Sequence, residues 1–278
     1  MKVLQTIADF RRARAAFGEL GFVPTMGYLH QGHLALVERA RSECPAVAVS
    51  IFVNPTQFGP NEDYARYPRD PERDLALLEA AGVDLVFVPS VEEMYPAGFG
   101  TYVIQPAADE VLEGAARPGH FRGVATVVCK LLNIVQPTRS YFGQKDAQQT
   151  VVARQMVRDL NMPVEIVIVP TVREPDGLAL SSRNVYLNRE QRAAAPVLYR
   201  ALRAAAERYA AGERSGEALR ALMREVLASE PLAKPDYVSV AHPQTLRELD
   251  QIGVEGALLS LAVRFDQVRL IDNWPLTP

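Results

Sequence analysis

Cysteine is scarce. Cys44 and Cys129 are the only two in 278 residues, and neither has a C-x-x-C partner. A disulfide framework is therefore excluded, and a cysteine-based zinc site has too few thiolates to close. Long apolar runs are also missing. No segment approaches the length of a transmembrane helix, and Met1 is followed by Lys2 and a mixed polar stretch rather than a secretory leader. Nor does one sign of charge dominate. A formal net charge of −3 offers no global basic field to attract nucleic acid or a membrane surface. These absences predict a cytoplasmic protein with reduced thiols whose partners are neither nucleic acids nor membranes. Lysine is rare as well: Lys2, Lys130, Lys145 and Lys234 are the only ones among 30 cationic residues. Genome composition and selection for heat resistance explain such an arginine bias equally well. Either way, a lysine that falls inside a motif carries more information than an arginine would.

What is present is a globular composition, 48% apolar and 23% charged, able to bury a sizeable core. Apolar strand patterns at 22–24, 46–53, 84–88, 140–142 and 164–169 alternate with helical patterns at 6–17, 33–41, 71–81, 124–135 and 146–160. That alternation predicts an α/β fold with a doubly wound parallel sheet. The pattern changes after Thr171. Helical segments at 189–211 and 215–229 precede short strands at 237–241, 257–263 and 268–271, which predicts a smaller α+β domain. The boundary is placed at Val172, giving domains 1–171 and 172–278. No internal repeat or low-complexity linker interrupts the chain.

The most informative stretch runs from Val23 to Leu36, V-P-T-M-G-Y-L-H-Q-G-H-L-A-L. It reads as a strand, a turn with two glycines and two histidines, and then an amphipathic helix. A helix N-terminus presents unpaired N–H donors and partial positive charge, so it favours an anion. Gly27 and Gly32 allow a bulky group to lie against the backbone, and His30 and His33 add donors on the same rim. The combination suits a polyphosphate. A zinc reading is weaker, because H-x-G-H lacks the helical spacing of a metal pair.

Further polar clusters follow the strands, where open α/β sheets bind ligands. Asn54 and Gln57 in N-P-T-Q can donate to and accept from a ligand bearing hydroxyl and carboxylate groups, although an ordinary Asn-Pro turn explains them equally well. In Gly143-Gln144-Lys145-Asp146, Lys145 supplies a point charge for phosphate and Asp146 suits a helix N-cap. Ser181-Ser182-Arg183-Asn184 offers two hydroxyls and a guanidinium past the domain boundary. The basic segment Arg117–Gly123 reads equally as a lid, an anion contact or a surface loop. Cys44 and Cys129 read as buried small apolar groups.

In this order and spacing, P-T-M-G-Y-L-H-Q-G-H (24–33), F-V-N-P-T-Q-F (52–58), R-P-G-H-F-R-G (117–123), Y-F-G-Q-K-D-A-Q-Q (141–149) and L-S-S-R-N (180–184) resemble the pantothenate synthetase (pantoate–β-alanine ligase) family almost end to end. That family lies within the HIGH-motif nucleotidyl-transfer superfamily. The resemblance implies a Rossmann-like first domain, a smaller covering domain and a homodimer. It also implies ATP as co-substrate with Mg²⁺, and ligation of (R)-pantoate to β-alanine through pantoyl adenylate, with release of AMP and pyrophosphate. Carried over by position, Met26, Gly27, Tyr28, Leu29, His30, Gln31, Gly32 and His33 line the ATP site, with His33 the acid and His30 its partner. Gly143, Gln144, Lys145, Asp146, Val172, Leu180, Ser181, Ser182 and Arg183 complete the nucleotide contacts. Gln57 and Gln149 hold pantoate, and Gln57 also meets β-alanine. The implied catalytic set is His33, His30, Lys145, Ser181, Ser182 and Arg183. This sequence departs from the family at Thr56 and Leu180, where Met is common, and at Gln144, where Glu is common. The last change speaks against a metal role there and leaves the metal ligands unknown.

Overall fold

The structure is a computed structural model that describes residues 1–60 and 62–277. The chain folds as two compact units, one of residues 1–143 with 149–170, the other of 144–148 with 171–278.

The first unit holds six parallel strands: β1 (Lys2–Leu4), β2 (Gly21–Thr25), β3 (Val47–Ile51), β4 (Leu85–Phe87), β5 (Arg139–Gly143) and β6 (Glu165–Val169), in the order β1-β4-β3-β2-β5-β6. The register pairs Thr25 with Ile51 and Gly143 with Val169, so these strands all end on one edge. Strand order reverses direction between β2 and β5, the switch point at which such sheets open a ligand crevice.

Near-continuous apolar strands are what a sheet covered on both faces requires. Successive side chains point to opposite faces, and the core divides accordingly. Phe22, Ala48, Leu85, Phe87 and Phe142 join one cluster, with Phe10, the apolar residues of helix His120–Val135, and Val152 and Met156. Val23, Val47, Val49, Val86 and Tyr141 join another, with Leu36, Val37, Ala40 and Leu78. The sheet is therefore doubly wound, as its sequence pattern predicts.

Several elements differ from their predicted bounds. Helix His120–Val135 starts a turn earlier than the apolar run suggests, because Gly119 at φ +80° turns the chain into it and Gly123 lies inside it. β1 is too short for periodicity to reveal. The predicted helix at 189–211 is two helices, Arg189–Ala194 and Val197–Ala210. Pro196 separates them because it has no N–H for the helical ladder.

In the second unit these two helices and Gly216–Ala228 share one core with an antiparallel sheet, β7 (Lys234–Ala241), β8 (Ala257–Phe265) and β9 (Val268–Leu276), in that order. β9 runs five residues past the predicted end. Its polar Asp272 and Asn273, outside the predicted strand, are both buried and paired with β8. Among the described residues no helix is long and apolar enough to cross a membrane.

Candidate active site

In the first unit, the loop after β2 is built around a buried carboxylate. Thr25 ends the strand, donating from Oγ1 to the Ser50 carbonyl at 2.7 Å and accepting from the Gly27 N–H at 3.2 Å. Gly27 (φ +83°) and Tyr28 (φ +51°) then both adopt the left-handed conformation. A Cβ at Gly27 would lie 2.9 Å from Ile51 Cγ2 and 3.0 Å from Asp74 Oδ2, so both conformation and space demand glycine. Tyr28 has no such freedom and is held instead. The Asp74 carboxylate accepts the main-chain N–H groups of Tyr28 and Leu29, each at 2.7 Å. Asp74 is 1% exposed, and burial holds its carboxyl above the ordinary range despite those two donors.

The chain then enters helix Gln31–Glu43 through a capping box made of imidazoles. His30 Nδ1 accepts the Gly32 N–H at 3.1 Å, and His33 Nδ1 accepts the His30 N–H at 3.3 Å. A ring nitrogen that accepts carries no proton, so each neutral imidazole bears its hydrogen on Nε2. The rings lie 4.1 Å apart between centroids. One local arrangement thus caps the helix with two nitrogens and makes donors of the other two.

After β3, Asn54 is 1% exposed and its amide is used within the protein. Its Oδ1 accepts from Tyr95 Oη at 2.7 Å and Thr56 Oγ1 at 2.9 Å, while Nδ2 donates to the Gly123 carbonyl at 3.2 Å and to Gln57 Oε1 at 3.0 Å. Asn54 is therefore a scaffold for the turn, and it fixes which end of the Gln57 amide is oxygen. The Gln57 Nε2 lies 3.3 Å from Met26 Sδ, which brings two sequence-predicted site residues together. Gln149 is half-buried in the first turn of helix Ala147–Asp159.

The segment 117–123 braces that turn. The Arg117 guanidinium donates to both Glu62 oxygens, Nε to Oε1 at 2.7 Å and Nη2 to Oε2 at 2.6 Å. His120 Nδ1 lies 2.8 Å from the Gln57 carbonyl, and its Nε2 lies 3.1 Å from Arg117 Nη1. Burial and the neighbouring Arg117 push the His120 imidazole down to about 4.

The second unit carries the remaining predicted residues. Gln144–Asp146 forms a 3₁₀ turn before helix Ala147–Asp159, and Lys145 Nζ lies 3.4 Å from Asp146 Oδ1. Asn273 Nδ2 donates to the Gln144 and Lys145 carbonyls at 2.9 and 2.8 Å, while its Oδ1 accepts from Gln144 Nε2 at 3.0 Å. Asp272 beside it takes a two-pronged contact from Arg173, at 2.6 and 2.9 Å. Burial raises the Asp272 carboxyl even so. Val172 accepts the Leu180 N–H at 3.0 Å, which closes the loop that presents Ser181–Arg183. Ser181 Oγ accepts the Arg183 N–H at 3.3 Å at the start of the 3₁₀ turn Ser182–Tyr186, and Ser182 is buried.

A family model described as pantoate-beta-alanine ligase matches residues 2–275. The chain belongs to the pantoate-beta-alanine ligase family. A pantothenate synthetase of Chloroflexus aggregans is 90% identical over 276 residues, covering 99% of this chain and all of the relative. The crystal structure of pantothenate synthetase from Thermus thermophilus has a TM-score of 0.95 at 56% identity, each chain fully covered. A pantoate-beta-alanine ligase from Francisella tularensis, complexed with beta-gamma ATP and beta-alanine, has a TM-score of 0.81 at 36% identity over 99% of this chain and 97% of its own. As a pantoate-beta-alanine ligase by family, the chain is an enzyme, and its Rossmann-like sheet is the fold of those relatives.

Sequence reasoning missed the groups that hold this ligase's loops: Asp74, Glu62, Arg173, Asp272 and Asn273. One of them left a signal. Asp74 precedes the fully buried Leu78 by one helical turn in helix Pro71–Ala80, which places an acid on the core face.

Proposed function

We propose that the chain activates (R)-pantoate with ATP to form pantoyl adenylate and pyrophosphate, and that β-alanine then displaces AMP to give pantothenate. The observation that carries this reading is the imidazole pair at the start of helix Gln31–Glu43, whose capping bonds make Nε2–H donors of both His30 and His33. Adenylation needs such donors. As the pantoate carboxylate attacks the α-phosphorus, charge accumulates on the phosphoryl oxygens and the departing pyrophosphate, and preorganised N–H groups and cations stabilise it.

In this reading Met26–His33 form a nucleotide-binding loop, and Gly143, Gln144, Lys145, Asp146, Val172, Leu180, Ser181, Ser182 and Arg183 serve as nucleotide contacts. Lys145 gives a compact point charge for phosphate. Gln57, with its amide orientation set by Asn54, and Gln149 hold pantoate. In the second step the neutral amine of β-alanine attacks the acyl carbon, the C–N bond forms, and the C–O bond to AMP breaks. The Francisella relative was crystallised with ligands of both steps, a nucleotide and β-alanine.

Mg²⁺ enters as the ATP complex. Among the described residues no group of three His, Cys, Asp or Glu stands together as a ready metal site. An ion that enters with ATP is carried largely by phosphate oxygens and water. The reading also carries a homodimer, checked by sedimentation equilibrium, and a cytoplasmic location.

Isotope exchange between pyrophosphate and ATP, measured without β-alanine, tests the proposal. Exchange that requires pantoate supports the adenylate route. Exchange driven by an amino acid, or none with any carboxylic acid, overturns it.

A further inference from the structure

Glu62, Arg117 and His120 form an ordered set of polar groups outside the proposed ligand contacts, and it ends on the main chain of Gln57. We propose that Glu62, Arg117 and His120 form a relay that locks one histidine tautomer and so positions Gln57 for the hydroxy acid. The inference rests on the reading of Gln57 as a pantoate residue.

The polarity of the relay follows from which atoms can donate. A carbonyl oxygen only accepts, so the 2.8 Å contact between His120 Nδ1 and the Gln57 carbonyl places the hydrogen on Nδ1. A guanidinium only donates, so the 3.1 Å contact from Arg117 Nη1 requires a bare lone pair on Nε2. Both contacts demand the same neutral tautomer. It is the opposite of the tautomer at His30 and His33, whose Nδ1 atoms accept. Arg117 cannot turn away, because Glu62 holds it by two parallel bonds and Glu113 approaches its Nη1 to 4.0 Å. Protonating His120 would aim an N–H at the guanidinium. Arg117 and burial accordingly outweigh the Glu62 and Glu113 carboxylates and keep the ring neutral down to about pH 4.

The far end of the relay has little slack. A Cβ at Gly123, one turn along helix His120–Val135 from His120, would lie 2.3 Å from the Thr56 carbonyl oxygen and 2.7 Å from the α-carbon of Gln57. The Gly123 carbonyl also accepts from Asn54. Helix and turn are thus in backbone contact, and the His120 bond fixes the Gln57 carbonyl while Asn54 fixes its side-chain amide. His120 is a positioning residue in this scheme: it sets the amide and does not touch the reacting atoms.

The test compares His120→Phe and His120→Asn with Gln57→Ala, measuring KM for pantoate and for ATP in the full ligase assay. Asn places an amide N–H near the former Nδ1 and retains the donor, whereas Phe keeps the ring and loses it. Loss of one oriented hydrogen bond on a ground-state contact predicts a roughly 10-fold rise in pantoate KM for H120F, with ATP KM within about twofold and kcat little changed. H120N is expected to recover to within about threefold of the parent. In the parent, ¹⁵N spectra of the His120 ring are expected to show the Nδ1–H neutral form from pH 8 down to pH 5. Normal pantoate KM in a folded H120F, alongside a raised KM in Q57A, overturns the relay alone. Unchanged pantoate KM in Q57A overturns the underlying reading of Gln57 and the relay with it. A protonated or Nε2–H ring at pH 7 also overturns the relay, even if no His120 variant folds.

Discussion

Asp74 holds Leu29 by a 2.7 Å bond from the Leu29 main-chain N–H to its buried carboxylate, across 45 residues of sequence. The other carboxylate oxygen takes the N–H of Tyr28 at the same distance, so one acid fixes two consecutive peptides just before the capping histidines. Charge-assisted bonds of this kind are stronger than neutral ones, and a buried donor left without its acceptor is costly. Asp74→Asn keeps the volume but offers one oxygen, so one of the two N–H groups must face an NH₂. The expected cost is about 2 kcal/mol of stability by urea unfolding. Because the loop leads directly into His30, pantoate-dependent pyrophosphate exchange is expected to fall by roughly 10-fold or more in the folded variant. Unchanged stability and exchange would show that the loop holds its form without the acid.

His120 gives the protein a pH-dependent component of stability whose sign follows from its depressed value. The folded imidazole titrates at about 4, against 6.5 for the unfolded chain. Above pH 6.5 neither state is protonated and the group contributes no pH dependence. Between 6.5 and 4 the unfolded chain binds the proton and the folded chain does not, so stability falls as pH falls. The loss reaches about 3 kcal/mol at most below pH 4. Urea unfolding from pH 7.5 to 4.5 is expected to show a steeper decline for the parent than for H120N, whose amide does not titrate. Parallel curves would remove His120 as the source.

Much of the fold was legible because its signals are local. The runs at 46–53 and 164–169 are apolar but for Ser50 and Glu165, a pattern that fits a strand within a covered sheet or a buried helix, and their length favours strands. The glycines and histidines of 24–33 mark a strand–turn–helix on their own. Other features were illegible because they depend on partners distant in sequence. Asp272 and Asn273 lie past the predicted strand at 268–271, and it is Arg173 and the carbonyls of Gln144 and Lys145 that pair with them inside β9. Asn54 read equally as a ligand residue or as part of an ordinary Asn-Pro turn, and its bonds run to Tyr95, Thr56, Gln57 and Gly123. Two of those partners lie 41 and 69 residues away. The segment 117–123 allowed several roles in sequence, and in the structure it carries a brace from Glu62 to Gln57.

Lys145 tests the phosphate assignment. Lys145→Ala is expected to lower pantoate-dependent exchange by about 10²–10³-fold, the scale for removing one preorganised charge donor. Arginine is expected to restore only part of this, because a planar fork does not replace a compact ammonium. The side chain is partly exposed and pairs with Asp146 at 3.4 Å, so stability is expected to change little. Near-parental exchange in the alanine variant defeats the assignment, whereas unfolding would point to a structural role instead.

Asn273 separates the position of the 3₁₀ turn Gln144–Asp146 from the charge that it carries. Its amide makes three bonds to Gln144 and Lys145 and none of them reaches the lysine ammonium, so Asn273→Ala leaves that charge intact while freeing the backbone beneath it. The expected result is a smaller loss than for Lys145→Ala, about 10-fold in exchange, together with about 1–2 kcal/mol of stability from the two unpaired carbonyls. Asn273→Asp is expected to be worse than alanine, because it keeps an acceptor but sets a negative oxygen against two carbonyl oxygens that had a donor. The double variant with Lys145→Ala is informative for the same reason. If Asn273 acts only by holding the turn that bears Lys145, its removal adds almost nothing to exchange once the ammonium is gone, and the two losses are far from additive. Additive losses would mean that Asn273 influences the reaction by a route independent of Lys145.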